Sequence, residues 1–216
     1  MQDHRPLIVF DVPGVLLTDA MPRLLRALAQ RGVRWNEKAF SGWYYQEIEP
    51  VLMLGKMHMG EFWETMLDNE GIPLAETSIW EDYLRDATLP LIAKSTLQRW
   101  SSVADLAVVA NGLPEWWAVP LRETGINTLL PLRHIVLSAN YGSALPEPDL
   151  FHTLIDLLPT DPDDVLFISS DSTNCCTAEY IGWSWILADP EGTWSWEVDE
   201  YLNLEDPGLF DWLELL

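Results

Sequence analysis

Short apolar runs alternate with amphipathic segments along most of this chain. Leu7–Phe10 is apolar at every position, ends on Asp11 and then meets Pro13-Gly14. That is the pattern of a buried strand delivering a carboxylate into a turn. Met21, Leu24, Leu25 and Leu28 recur at i, i+3, i+4 and i+7 with arginines between them, which predicts a helix. Phe40–Ile48, Met59–Asn69 and Ser78–Arg85 read as further helices, broken at Gly71-Ile72-Pro73 and Leu89-Pro90.

Beyond Pro90 the pattern becomes helices alternating with strands. Leu91–Trp100 is helical and Leu106–Ala110 is an apolar run stopping at Asn111-Gly112. Trp117–Arg122 is helical, and His134–Leu137 is the next strand. Asp149–Leu158 puts Phe151, Leu154, Ile155 and Leu158 on one face, and Asp164–Ile168 and Trp183–Leu187 are two more strands. Such alternation predicts an α/β protein, a three-layer doubly wound parallel sheet with helices on both faces. Residues 1–15 and 89–216 then form the core, and 16–88 form an inserted helical cap. The tail Pro190–Leu216 is acidic and rich in Trp. Its Phe210, Trp212, Leu213, Leu215 and Leu216 are expected to dock on the core, with a partner contact as the other reading.

Composition narrows the picture. With 216 residues and 48% hydrophobic content the chain has material for a full core, and no run of about 18 apolar residues is present to span a membrane. The N-terminus reads as the approach to a strand rather than a signal peptide. Its two cysteines, Cys175 and Cys176, are adjacent and cannot frame a fold, which suits a reducing cytoplasmic compartment. Charge is unevenly spread: residues 134–216 hold half of the 34 acidic residues and none of the 12 Lys and Arg, within a net charge of −22. A surface of that sign repels nucleic acid and anionic membranes. It leaves a basic protein partner, or a cationic or neutral small molecule, as what it could bind.

In a doubly wound sheet the ligand site lies beyond the carboxyl ends of the strands. Four segments meet that description: Asp11, Asn111-Gly112, the loop Gly142–Asp149, and Ser169–Asn174. Trp43-Tyr44-Tyr45 and Trp116-Trp117 have the composition of an aromatic pocket for an organic cation, although helix-face packing accounts for them equally simply. Lys56 and His58 are candidates to bring positive charge to the cleft. No Cys or His spacing suggests a zinc site, and no metal ligands are assigned.

These segments resemble the motifs of the haloacid dehalogenase-like superfamily over nearly the whole chain. Phe10-Asp11-Val12-Pro13-Gly14-Val15-Leu16 is similar to the first motif, whose Asp is the nucleophile, and Val108–Gly112 is similar to the second. Leu145-Pro146-Glu147-Pro148-Asp149-Leu150-Phe151 resembles the third, and Phe167–Asp171 through Asn174, Ala178 and Gly182-Trp183 the fourth. The departures are chemical. Pro13 stands where the phosphatase branch often has its general acid, Ala110 where it has a hydroxyl, Leu145 where it has a Lys, and Ser169 and Ser170 where it has Mg²⁺-binding acids. Asp171 is one position later. The resemblance implies Mg²⁺ for the phosphatase branch, but Asp11 with Asp171 would be a thin site, and no cofactor is expected.

Two readings of function follow. One is a catalytically degenerate member, a pseudophosphatase, that binds a protein partner or a non-phosphate ligand through Val12, Pro13, Asn111, Gly112, Ser169, Ser170 and Asn174. In the other, the protein is a repurposed metal-independent enzyme in which Asp11 is nucleophile or base and Asp171 assists. The magnesium-free dehalogenase branch is similar to the Ile168–Asn174 stretch with Asp and Asn exchanged, and there Arg31 or Arg34 would meet a substrate carboxylate.

Overall fold

The structure is a computed structural model that describes residues 5–18, 42–70 and 90–204. Five parallel strands form one sheet: β1 (Leu7–Phe10), β2 (Asp105–Ala110), β3 (Ile135–Leu137), β4 (Val165–Ser169) and β5 (Ser184–Leu187), in the order β3-β2-β1-β4-β5. The predicted α/β class and doubly wound architecture are therefore observed. β1 is central because its four residues are apolar on both faces and can be covered from both sides; all four are buried. Phe10 lies level with Val108 of β2 and Ile168 of β4. The ladder runs one residue further, with the Asp11 N–H donating to the Ile168 carbonyl at 2.8 Å.

Two apolar layers flank the sheet. One holds Phe151, Phe167 and Trp183 with Val9 and Val109; the other holds Ile8, Phe10, Trp100, Trp116 and Trp194 with Val108. Most of the tryptophans described are thus packing residues. In the second layer Phe10 stacks on Trp100 at 6.1 Å, and Trp100 meets Trp194 at 6.0 Å.

Chain reversal after β1 positions everything that follows. Leu17 bridges antiparallel to Pro90, and the Leu91 N–H donates to the Leu16 carbonyl at 2.9 Å. The intervening chain therefore leaves and re-enters the core at one point. Its described part, 42–70, forms a π-helical turn (Tyr44–Ile48), helix α1 (Glu49–Met53) and helix α2 (Met59–Glu70). The π-helical turn was not expected from the sequence. It runs directly into α1, whose Pro50 needs no N–H donor in a first turn. The predicted helices around Met21–Leu28 and Ser78–Arg85, and Arg31, Arg34 and Phe210–Leu216, lie outside the described residues.

Later helices differ from expectation mainly at their ends. Helix α3 is Lys94–Ser101, α4 is Pro114–Glu123, α5 is the single turn Ser138–Tyr141, and α6 is Pro148–Leu157. Helix α7 is Ser172–Tyr180 and α8 is Trp194–Tyr201. Helix α4 takes in Trp116 because Pro114 occupies its first turn. In the described part of the tail, Trp194 and Val198 of α8 are buried. Among the described residues no helix is long and apolar enough to cross a membrane.

Candidate functional site

Asp11 sits at the carboxyl end of the central strand and is 4% exposed. Its Oδ1 accepts the Val12 N–H at 2.8 Å, and its Oδ2 accepts the Ser169 hydroxyl at 2.9 Å and the Asn174 amide at 3.1 Å. Ser169 is the last residue of β4, one position beyond the expected strand, which brings its side chain beside Asp11. Asn174 projects from the first turn of α7. That helix is started by Asp171, whose Oδ1 accepts the Thr173 N–H at 2.7 Å as an N-cap. Burial pushes the Asp11 carboxyl up to about 7; the bonds from Ser169, Val12 and Asn174 work against that, and the charge of Asp171 adds to it.

The turn after Asp11 is tight and has no room for a side chain at Gly14. Gly14 has φ +74°, and a Cβ there would run into the Ser170 hydroxyl, which donates to the Pro13 carbonyl at 3.0 Å. Gly112 has φ +128°, and a Cβ there would meet the Trp117 indole nitrogen at 2.8 Å. Its N–H donates to the Ser138 hydroxyl at 2.9 Å. Ser138 is fully buried and was missed in the sequence, where the signal was its place directly after the β3 run.

Asn111 uses its side chain inside the protein. Its amide donates to the Leu145 carbonyl at 3.0 Å, and its carbonyl oxygen accepts the Leu145 N–H at 2.7 Å. This two-bond clamp holds the loop that resembles the third motif. The Leu145 side chain is 7% exposed and packs with the sheet layer that contains Val109 and Phe151. At this position the chain thus presents an apolar core residue to the interior and no charge to the cleft.

A cavity of about 310 Å³ opens between the carboxyl edge of the sheet and the inserted segment. The sheet side contributes Asp11, Pro13, Asn111, Ser170, Asp171 and Asn174. Tyr44, Tyr45, Glu49 and Met53 come from the insertion, and Trp116 and Trp117 from α4. Six of the nine residues expected at the site therefore line it. Val12, Gly112 and Ser169 do not: the Val12 side chain is in the core, and the other two are spent on internal hydrogen bonds. Lys56 and His58 are exposed elsewhere, so neither brings charge to the cleft. Glu49 and Met53 were missed, having no local pattern in the sequence to mark them. Cys175 and Cys176 follow Asn174 in α7, and burial pushes the Cys175 thiol up to about 11.

The donors available to a divalent cation can be tested directly. Among the described residues no group of three or more His, Cys, Asp and Glu could hold a metal. Asp11 already accepts three hydrogen bonds, one oxygen of Asp171 caps its own helix, Glu49 stands on the insertion side, and the other polar groups on the sheet side are hydroxyls and amides. Mg²⁺ requires near-octahedral oxygen ligands including carboxylates, and these residues do not fit it.

No family model matches the chain, and no curated protein matches it in sequence. Its backbone is similar to solved structures. A HAD family enzyme from Bacteroides thetaiotaomicron superposes with a TM-score of 0.78 at 18% identity, covering 90% of this chain and 98% of that one. A predicted HAD-like family hydrolase from Porphyromonas gingivalis gives 0.71 at 20%, covering 94% and 100%. An L-2-haloacid dehalogenase gives 0.62 at 17%, covering 84% and 83%. The chain has the haloacid dehalogenase-like fold. The Bacteroides enzyme is also described in complex with magnesium and inorganic phosphate.

Proposed function

We propose that this protein keeps the haloacid dehalogenase-like fold without its phosphoryl transfer, and acts by binding a non-phosphate ligand in the cleft above Asp11. The observation that carries this reading is the lining of the cleft. Among the described residues it holds three carboxylates, Asp11, Glu49 and Asp171, and no Lys, Arg or His. Phosphoryl transfer depends on cations arranged around the transferring group. Here the oxygens of Asp11 are met by an amide, a hydroxyl and a backbone N–H, and a dianionic phosphate would face acids. Ligand binding in the cleft is preferred to docking of a basic protein on the acidic half because the cleft is a concave site lined from both the sheet edge and the insertion.

A second reading is favoured by one observation. A carboxyl pushed up to about 7 lies where a general acid or base works best at neutral pH, so Asp11 suits proton transfer on a non-phosphate substrate better than nucleophilic attack. Asp171 would assist from the mouth of the site.

The test is thermal stability with Mg²⁺ alone and with Mg²⁺ plus beryllium fluoride, which mimics an aspartyl-phosphate. A ligand bound only by the native state at 100 times its Kd adds about 2.7 kcal/mol of stability. The expected result is no shift. A shift that Asp11→Asn removes would establish a working metal–phosphoryl site and overturn the proposal.

A further inference from the structure

We propose that the cleft takes a small organic cation, a substituted ammonium compound, with its charge near the Asp11 and Asp171 carboxylates and its alkyl groups among the aromatic rings of the insertion and α4. The inference rests on the reading above that the site no longer handles phosphate. Three features of the cleft point to this chemistry together.

The first is size. At about 310 Å³ the cavity is at the small end of ligand pockets, which suits a compact molecule rather than a peptide or nucleotide. The second is sign. Asp11 and Asp171 come from adjacent loops on the sheet side and Glu49 from the insertion side, so acids face the space from both walls. Acids on both walls favour a cation over an anion in this space.

The third feature is how the rings are fixed. The Trp117 indole N–H donates to the Asn111 backbone carbonyl at 2.8 Å, and the Trp116 indole N–H points to the Met59 sulfur at 3.0 Å. Each indole has one donor, and both are committed inside the protein. Trp116 and Trp117 are only 5% and 4% exposed, so they show the cleft a small part of the ring and no free donor, and Tyr45 supplies most of the π surface that attracts a cation electrostatically. Tyr44 and Tyr45 meet edge to face at 5.1 Å, and Trp116 is held against Phe62 at 5.9 Å, so the wall is preformed. Tyr45 is 49% exposed and stands at the mouth.

The experiment is titration calorimetry on the full chain at pH 8 and low salt. The probes are tetramethylammonium, choline and butylammonium chlorides, with 3,3-dimethyl-1-butanol as the uncharged isostere of choline and sodium chloride as the ionic control. Saturable binding of at least one ammonium compound is expected, with choline binding about tenfold more tightly than its isostere. Tyr45→Leu, at a half-exposed position, and Asp171→Asn, which keeps a capping side chain, should each weaken binding about fivefold. No saturable binding by any ammonium probe, or equal binding of the isostere, would overturn the ligand class; with beryllium fluoride silent, the functional reading would stand. A beryllium fluoride shift lost in Asp11→Asn would overturn both.

Discussion

The Ser169 hydroxyl, at the end of one strand, donates to Oδ2 of Asp11 on the strand beside it, at 2.9 Å and out of contact with solvent. This pair replaces, with a neutral donor, the kind of charge that would hold the carboxylate ionised. A hydroxyl stabilises a buried carboxylate less than a cation does, so desolvation prevails and the carboxyl rises to about 7.

The pH dependence of stability follows from that balance. Below about pH 4 the Asp11 carboxyl is protonated folded or unfolded; between about 4 and 7 only the native state holds the proton; above 7 the native state buries a charge. Stability from this group is therefore fully present below about pH 4 and lost progressively as pH rises from 4 through 7, by about 4 kcal/mol in total, of which about half is lost above pH 5.5. Urea midpoints at pH 5.5 and 8.5 should fall for the wild type, and Asp11→Asn should remove much of the fall. Asp189 acts with the opposite sign. Hydrogen bonds from Thr193 and Trp194 pull it to about 2, so its contribution is present above about pH 4 and lost toward pH 2.

Restoring the motif-three lysine should not restore chemistry. Leu145→Lys places an ammonium group in an apolar layer, and a loss of about 2–4 kcal/mol is expected from urea unfolding. No phosphatase activity should accompany it. Asn111→Ala removes both bonds to the Leu145 backbone and should cost about 2 kcal/mol by the same measurement. Phosphatase turnover by Leu145→Lys would contradict this account.

The attachment of α8 depends on one carboxylate. Asp199 accepts the Trp100 indole N–H at 2.7 Å on Oδ1 and pairs with Arg99 at 2.7 Å on Oδ2, with side-chain exposures of 10% and 29% for Asp199 and Arg99. Asp199→Ala strands both partners and should cost about 3 kcal/mol. Asp199→Asn keeps an acceptor for Trp100 and should cost less. Proteolysis of the variant should begin C-terminal to β5.

The neighbouring thiols should separate cleanly. Cys175 is buried, its thiol pushed up to about 11, and Cys176 is exposed. A thiol reagent should modify one cysteine in the native protein and two in denaturant, and Cys176→Ser should abolish the native reaction. Fast native reaction in that variant would show that α7 opens.

The sequence by itself determined the architecture. Runs such as Leu7–Phe10 and Leu106–Ala110 are apolar on both faces and bury only as interior strands of a covered sheet, and Asp11 and Asn111 fall at their ends because a polar residue ends such a run. Six of the nine anticipated site residues line the cleft for the same reason: a parallel sheet brings its strand ends together. What the tertiary structure decided was which way each polar group turned. Val12 and Gly112 sit next to lining residues in the chain, yet the Val12 side chain faces the core and the Gly112 N–H is spent on the Ser138 hydroxyl. Glu49 and Met53 reach the cleft only because the insertion leaves and returns at Leu17 and Pro90, a long-range closure that no local pattern encodes. The carboxyl of Asp11 likewise takes its raised proton affinity from burial, against the bonds from Ser169 and Asn174, both more than 150 positions away in the chain.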